Sequence, residues 1–369
     1  MHKMIKKVLD KIEKNGFEAY LVGGYVRDSL LGIKTTDIDI CTNALPKDLV
    51  EIFANCNSID NAYGVIKIIN DKYNFDITTY RKENKYVGHK PGEIEYINNL
   101  LVDINRRDFT INAMCMNSKG QLIDLIEGRK DLKQKLIRAV GKPEKRIEED
   151  PLRILRAVRF STILNFKIDE ELFEVMKIAA PSIQSLSMTR IKGEFDKIFA
   201  SYNVLKGLEL LQELKILDLL KIKVNQVIAT EDVCGIYSQI ELPADYPLSN
   251  AEKNNIADIK EVVAYGKIDN NIMFQKGYYS CLVAGTILGI SKKTMCKLNA
   301  KMPIMNKTDL KIEILEICNI IGIEPNKVLK VIIDDLINAI LNNKLENTKK
   351  SIIDYLIKNK EQWLNEEGN

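Results

Sequence analysis

The spacing of apolar residues changes partway along this chain, and this change limits the folds open to it. In the first 125 or so residues, short β-branched runs at 19–22, 37–41, 65–70 and 74–80 alternate with helical patterns. After Gly141, apolar residues recur at three- and four-residue spacing, which is typical of helices. The pattern predicts an α+β chain: an N-terminal α/β domain with a small mixed sheet, followed by an all-helical remainder.

Composition adds a few constraints. The chain has 54 Lys and Arg residues against 51 Asp and Glu residues, so bulk charge does not indicate a polyanionic partner. Positive charge is concentrated locally, because residues 129–159 contain eleven basic and five acidic residues. The seven cysteines are scattered and odd in number, which predicts reduced core thiols. No signal-like or long apolar run is visible in the sequence, so we expect a cytoplasmic protein without a membrane partner.

A pair of acids stands in one predicted strand, Thr36-Asp37-Ile38-Asp39-Ile40. The two-residue period of a strand places Asp37 and Asp39 on one face. Two neighbouring carboxylates repel each other unless a cation lies between them, and Mg²⁺ is commonly held by one or two carboxylates and substrate phosphates. The alternative is an edge strand with two solvated acids. Asp76, in a later strand, fits a hairpin surface better than a third position near the metal.

A Gly-Gly turn precedes the acidic pair. Gly23 and Gly24 separate a predicted strand from a helix that ends near Gly32. A helix that begins at such a turn offers free backbone N–H groups to a phosphate, with Arg27 one turn along. The turn alone fits a simple tight connection, but together with the acids it predicts a phosphate site facing a metal site.

Four ordered motifs resemble one known family. They are LVGGYVRDSLLG with TDIDI, RRDFTINAM at residues 106–114, DLIEG at 124–128 and EEDPLRILRAVRF at 148–160. The chain resembles the class II tRNA nucleotidyltransferase and bacterial poly(A) polymerase family over roughly residues 19–199. That resemblance implies template-independent addition of cytidine and adenosine to the tRNA 3′ end, with CTP, ATP and Mg²⁺ as ligands.

The resemblance also implies site residues. Asp37 and Asp39 match the catalytic metal ligands, and the nucleotide-binding positions comprise Gly23, Gly24, Arg27, Arg107, Asp108, Asp150, Arg153, Arg156 and Arg159, with Glu149 in support of base recognition. Arg107 and Asp108 fall on the motif that contacts the ribose. Arg190 and Glu194 match a further motif that braces the neck, although an ion pair within their own helix is also consistent with their spacing.

The predicted base-reading pair has a chemical rationale. Cytosine and adenine both present an amino donor beside a ring-nitrogen acceptor, whereas uracil and guanine present the reverse. Asp150 would accept from the amino group while Arg153 donates to the ring nitrogen, so the wrong bases would leave buried polar groups unpaired. The alternative is an ordinary helix start, with Asp150 as N-cap and Pro151 at the first helical position.

The resemblance divides the chain into a catalytic head (1–125), a neck with the base-reading helix (126–200), a body (201–270) and a tRNA-binding tail (271–369). Residues 81–95 resemble the family's flexible loop, whose presence favours addition of the complete CCA sequence. A poly(A) polymerase, or an enzyme that adds only CC or only A, shares the same motifs. A noncatalytic tRNA-binding protein is a further alternative, but such a protein would not need the self-repelling pair Asp37 and Asp39.

Overall fold

The computed structural model describes residues 2–54, 58–60, 64–69, 72–87 and 90–365. The chain folds into two compact units: unit 1 comprises residues 1–223 with 243–247, and unit 2 comprises residues 224–242 with 248–369. The first unit contains every predicted site residue.

The first part of unit 1 combines a sheet with short helices. Its elements are α1 (Lys3–Glu13), β1 (Ala19–Val22), α2 (Gly24–Leu31), β2 (Asp37–Thr42), α3 (Pro46–Ile52), β3 (Ser58–Asp60), β4 (Val65–Ile69), β5 (Asn74–Thr79), β6 (Arg81–Val87), β7 (Lys90–Tyr96), α4 (Leu100–Asn105), β8 (Cys115–Met116) and β9 (Leu122–Ile123). The described strands form a seven-stranded sheet in the order β3-β4-β5-β2-β1-β8-β9. β2 and β5 are parallel, while the other described pairs of this sheet are antiparallel. The predicted small mixed sheet is therefore confirmed.

Local sequence explains the connection that carries the site. Strand β1 is central and its residues Leu21 and Val22 are buried. The chain turns at Gly23, whose φ of 72° and ψ of −140° suit glycine alone. Helix α2 then runs until Gly32, which closes it in the left-handed conformation with a φ of 73°. The predicted strand, turn and helix are confirmed.

The predicted loop at 81–95 differs from the structure. Strands β6 and β7 pair antiparallel, with Arg81 opposite Tyr96 and Val87 opposite Lys90, so this segment is a β-ribbon. The prediction overlooked that a run with Tyr and Val has the composition of a strand and can pair with its neighbour in sequence. Gly88 and His89 lie outside the described residues.

Helices dominate from Gly128 onward. In unit 1 they are α5 (Gly128–Gln134), α6 (Pro143–Glu149), α7 (Leu152–Leu164), α8 (Glu170–Ala179), α9 (Met188–Phe199), α10 (Val204–Glu213) and α11 (Ile216–Leu219), with a 3₁₀ turn at Ala180–Ser185. Two-residue strands β10 (Leu136–Ile137) and β11 (Lys167–Ile168) pair in parallel between them. The helical remainder is confirmed, with short strands that its hydrophobic spacing does not reveal.

The rest of the chain continues this pattern. Its elements are β12 (Lys223–Val224), α12 (Val233–Tyr237), β13 (Ile240–Glu241), α13 (Asn250–Tyr265), α14 (Asn270–Ile287), α15 (Lys292–Ala300), a 3₁₀ turn at Lys307–Asp309, α16 (Ile314–Ile321), α17 (Lys327–Leu341) and α18 (Lys349–Asn365). Ile332, Leu336, Ile352 and Leu356 are fully buried in the core of α16 to α18. Among the described residues, no helix is long and apolar enough to cross a membrane. No described cysteine forms a disulfide, and most are buried, but Cys296 is exposed, against expectation.

Candidate active site

Two carboxylates project from one face of β2. Asp37 and Asp39 are exposed, whereas Ile38 and Ile40 are each 1% exposed, as the two-residue period of a strand requires. The side-chain amide of Asn74 donates a hydrogen bond of 3.1 Å to Asp37 Oδ1. The alternation predicted from the sequence is confirmed.

A third carboxylate lies beside this pair. The parallel register of β2 and β5 aligns Asp76 with Asp39, which the sequence did not indicate; a role for Asp76 near the metal stays a prediction. Loss of hydration within the cleft raises the pKa of Asp39; the positive charge of Arg107 opposes this shift, and the charges of Asp76 and Asp37 add to it. The neighbouring carboxylates therefore disfavour the charged form of Asp39.

This donor set suits a hard divalent cation. A cation relieves the repulsion among the carboxylates, and Mg²⁺ prefers oxygen ligands. Within the described ranges, no group of three or more His, Cys, Asp or Glu side chains is arranged to hold a metal ion by itself. Phosphate oxygens of a substrate would have to complete the coordination sphere.

The glycine turn lies directly against the acids. A Cβ atom built on Gly23 would stand 2.8 Å from Asp39 Oδ2, closer than any ordinary contact. Helix α2 begins at Gly24, and its Arg27 is 8% exposed. Arg27 Nε donates to Asp28 Oδ1 at 2.8 Å and Nη1 donates to Asn112 Oδ1 at 2.6 Å. The predicted phosphate-binding arginine is thus fixed in place by two side chains.

Arg107 is a second arginine that lines the cavity containing the acids. Its Nη2 donates to Asp103 Oδ2 at 3.1 Å, and Asp103 is fully buried. Asp103 also binds Arg106 Nε at 2.8 Å and the backbone N–H of Arg81 at 3.3 Å. Burial alone would raise the pKa of Asp103, but the charges of Arg107 and Arg106 lower it. Asp103 therefore stays charged and orients Arg107.

Asp108 connects the head to helix α7. Its Oδ1 accepts from the backbone N–H of Phe109 at 2.7 Å and from Asn112 Nδ2 at 3.2 Å. Its Oδ2 accepts from Arg156 Nε at 2.8 Å and also from Arg156 Nη2. Burial alone would raise the pKa of Asp108, but the ion pair with Arg156 and these hydrogen bonds lower it to about 2. Arg27, Asn112, Asp108 and Arg156 therefore form one continuous chain of hydrogen bonds.

Helix α9 holds two further site residues. Arg159 Nη1 lies 2.8 Å from Glu194 Oε2, and Arg190 Nη2 donates to Asp150 Oδ2 at 2.9 Å. Arg190 and Glu194 thus each pair with a residue outside helix α9, and within the described residues they do not form an ion pair with each other. Burial lowers the pKa of Arg159; Glu194 opposes this shift, and the charge of Arg156 adds to it.

One cavity of about 450 Å³ collects most of these side chains. It is lined by nine predicted residues: Gly23, Gly24, Arg27, Asp37, Asp39, Arg107, Asp108, Arg156 and Arg159. It is also lined by Tyr25, Asp28, Thr35, Asn112, Phe160 and Lys197. Acids that suit a cation and basic groups that suit phosphate therefore face the same space.

The predicted base-reading group lies outside this lining. Arg153 Nη1 donates to Glu149 Oε2 at 2.7 Å, and its Nη2 donates to the carbonyl of Arg106 at 3.0 Å. Asp150 accepts from the backbone N–H of Leu152 at 3.1 Å and from Arg190. Pro151 takes the N-cap position of α7, one residue later than the helix start considered from the sequence. The backbone N–H of Arg153 donates to the carbonyl of Asp150 at 3.0 Å, but their side chains each bind another partner and not each other.

Comparison with known proteins decides the family. The model of the Poly A polymerase head domain matches residues 19–138, and that of the probable RNA and SrmB-binding site of polymerase A matches residues 165–222. The CCA-adding enzyme of Ligilactobacillus salivarius is 33% identical over 94% of each chain. The chain belongs to the CCA-adding enzyme family. The CCA-adding enzyme of Staphylococcus haemolyticus is 32% identical and covers 96% of this chain and 97% of its own.

Solved structures of CCA-adding enzymes share the fold. The Bacillus stearothermophilus CCA-adding enzyme in complex with CTP has a TM-score of 0.79 at 23% identity and covers 98% of both chains. The Thermotoga maritima CCA-adding enzyme complexed with tRNA has a TM-score of 0.65 at 20% identity, covering 97% of this chain and 96% of its own. The predicted fold class and family are confirmed.

Sequence reasoning on this CCA-adding family member missed several residues that support the cavity. Asn112 and Phe160 stand inside the quoted motifs, RRDFTINAM and EEDPLRILRAVRF, but neither is charged, so neither attracted a role. Asp103 stands three residues before Arg106, the first residue of RRDFTINAM. Its spacing of three and four from Arg106 and Arg107 on a helical turn is the signal that could have identified it.

Proposed function

We propose that this chain extends tRNA lacking its 3′ terminus by cytidine, cytidine and adenosine, using CTP and ATP and releasing pyrophosphate. The observation that carries the proposal is the shared cavity, which is lined by the acids of β2, the glycine turn and four arginines. Membership of the CCA-adding family supports the same reaction. A purely RNA-binding protein would gain nothing from holding Asp37 and Asp39 side by side in a cavity, where loss of hydration and then the charges of neighbouring carboxylates raise the pKa of Asp39.

The acids and the arginines that line the cavity suit a nucleotidyl transfer. The 3′ oxygen of the tRNA forms a bond to the α-phosphorus of the nucleotide while the bond from that phosphorus to the oxygen of the leaving pyrophosphate breaks, and the proton of the 3′ hydroxyl passes to a solvent water molecule. Asp37 and Asp39 would hold Mg²⁺, which lowers the pKa of the attacking hydroxyl and offsets the charge of the leaving pyrophosphate. The acids are on a central strand of the described sheet.

The remaining predicted residues bind and orient the nucleotide. The backbone N–H groups at Gly23 and Gly24, with Arg27, would hold the triphosphate at the start of α2. Arg107 and Asp108 would contact the ribose. Arg156 and Arg159 supply positive charge from α7, and both already line the cavity.

We further propose that Asp150 and Arg153 read the base. Arg153 contacts the carbonyl of Arg106, the residue next to cavity-lining Arg107, and this contact supports the proposal. Glu149 binds Arg153, and Arg190 binds Asp150. The side chains of Arg153 and Asp150 would therefore have to exchange or share these partners when a base binds. The pairing rule then favours cytosine and adenine over uracil and guanine.

The division into head (1–125), neck (126–200), body (201–270) and tRNA-binding tail (271–369) belongs to this proposal, as do Mg²⁺ as cofactor and a cytoplasmic location. The match to an RNA-binding family model at residues 165–222 supports contact of the helical part with RNA.

The product ends test the reaction directly. Purified protein with Mg²⁺ and tRNA lacking CCA is incubated with CTP alone, ATP alone, both, UTP or GTP, and the 3′ ends are sequenced. We expect addition of CC with CTP alone, CCA with CTP and ATP together, and no addition with UTP or GTP. A long adenosine tail on arbitrary RNA would favour a poly(A) polymerase, and addition that stops at CC, or adds only A, would favour a partial enzyme.

Carboxylate variants test the assignment of the acids. Asp37→Ala and Asp39→Ala should abolish addition and leave tRNA binding largely intact, because the acids act on the reacting phosphate. Glu51→Ala removes an exposed acid of α3 that does not line the cavity and serves as the matched control. Activity retained in both Asp variants would remove the metal assignment.

A further inference from the structure

The ring of Phe160 lies near three of the arginines that line the cavity. Phe160 is 8% exposed and lines the cavity. The guanidinium carbons of Arg159, Arg27 and Arg156 lie 4.3, 5.0 and 5.6 Å from the ring centroid. All three distances fall within the range of about 6 Å over which an aromatic ring attracts a cation. A single ring thus contacts cations from both α2 and α7.

The acidic partners of the arginines do not explain this convergence. Arg27 pairs with Asp28, Arg156 pairs with Asp108, and Arg159 pairs with Glu194. These acids come from three different parts of the chain, so each ion pair orients one arginine and none of them gathers all three. Three like charges also repel one another when they approach.

An aromatic face is suited to gather such charges. The ring quadrupole is negative above the plane and attracts several cations without neutralising any of them. The ring therefore adds no further negative charge beside the arginines, whereas a carboxylate at the same position would compete with the phosphate for their donors. The residue at this position is uncharged and buried, as this requires.

The orientation of the ring is itself fixed. Phe109 packs edge-on against Phe160, with ring centroids 5.8 Å apart and an interplanar angle of 82°. Phe109 is 1% exposed and directly follows Asp108. The segment that carries Arg107 and Asp108 thus also sets the plane on which the arginines rest.

We propose that Phe160 is a positioning residue for the nucleotide: its ring holds Arg27, Arg156 and Arg159 as one charged cluster that binds the phosphates of a single ribonucleoside triphosphate. The proposal rests on the proposed function, because it assumes that a nucleoside triphosphate occupies the cavity. It goes beyond it by assigning phosphate affinity to an uncharged side chain.

Fluorination of the ring separates this role from packing. Phe160 is replaced in the full-length protein by 4-fluoro-, 3,5-difluoro- and 3,4,5-trifluorophenylalanine, which weaken the ring quadrupole in steps at nearly constant shape. We expect the KM for CTP and ATP to rise with each fluorine, by about tenfold at three fluorines, while kcat and the KM for tRNA stay constant. Phe160→Leu, which removes the ring, should raise the nucleotide KM at least as far.

Phe166 provides the matched control. It is 3% exposed in the same unit, and in the described part of the chain no cation stacks on its ring. The same fluorinated residues at Phe166 should leave the nucleotide KM unchanged, and the melting temperatures of the two series should agree. A nucleotide KM that does not follow the number of fluorines at Phe160, or that follows it equally at Phe166, overturns the inference.

The same series distinguishes failure of this inference from failure of the proposed function. Equilibrium binding of CTP with Mg²⁺, measured by calorimetry, reports on the arginine cluster without any catalytic turnover. If the unmodified protein adds no nucleotide, the proposed function fails. The Kd for CTP across the fluorinated series then decides the inference alone: a stepwise rise supports it, and a constant Kd or no CTP binding overturns it.

Discussion

Replacing Gly23 by alanine should damage the active site much more than the fold. Gly23 has a φ of 72° and a ψ of −140°, a conformation that costs a residue with a side chain about 1–3 kcal/mol. The added Cβ would stand 2.8 Å from Asp39 Oδ2, whereas ordinary contacts begin at 3.4 Å. The carboxylate must therefore retreat by about 0.6 Å, the difference between these distances. A shift of this order in a reacting group lowers kcat/KM by roughly ten- to a hundredfold.

Gly32→Ala isolates the backbone strain from the clash. Gly32 has nearly the same φ, 73°, and no atom lies within 4 Å of its added Cβ. It closes the same helix but does not line the cavity. We expect Gly32→Ala to lose about 1–2 kcal/mol of unfolding free energy and to keep its kcat/KM.

The assay measures both quantities for each variant. Urea denaturation gives the free energy of unfolding, and incorporation of labelled CTP into tRNA lacking CCA gives kcat/KM. If Gly23→Ala is folded and its kcat/KM equals that of Gly32→Ala, the close contact between the turn and Asp39 has no functional role, and the reasoning is refuted.

Two further predictions concern the ion pairs around the cavity. The pKa of Asp108 is about 2 in the folded protein and about 3.9 when unfolded, so its ionised form contributes about 2–3 kcal/mol of stability above pH 4. This contribution should be lost as the pH falls from about 4 to about 2, and urea denaturation across that range should show a flatter profile for Asp108→Asn; an identical profile would contradict the assignment. Arg190→Gln removes the side chain that holds Asp150, and we expect the ratio of kcat/KM for CTP over UTP to fall about tenfold, whereas an unchanged ratio would separate this contact from base selection.

Local features of the fold could be predicted from the sequence, because short-range geometry decides them. The alternation in β2 follows from the period of a strand, and the turn at Gly23 follows from glycine's access to positive φ. The alignment of Asp76 with Asp39 depends on which strands pair and in what register, and no local pattern encodes that register. Arg190 likewise reaches Asp150 across 40 residues. Side chains that converge from distant segments need the tertiary structure, which is why the sequence suggested the acids of the site but not their supports.

The charges around the cavity explain why nucleotide and metal should bind together. The lining contains the cations Arg27, Arg107, Arg156, Arg159 and Lys197 and the anions Asp28, Asp37, Asp39 and Asp108. Asp103 and Glu194, which hold Arg107 and Arg159, add two negative charges just behind the lining. The arginines are thus oriented before any ligand arrives, which lowers the entropy cost of binding. Their charge, however, is already balanced by protein acids, so a triphosphate would meet little net attraction. Divalent cations bound at Asp37 and Asp39 would supply the missing positive charge, and we therefore expect nucleotide affinity to depend on them more strongly than tRNA affinity does.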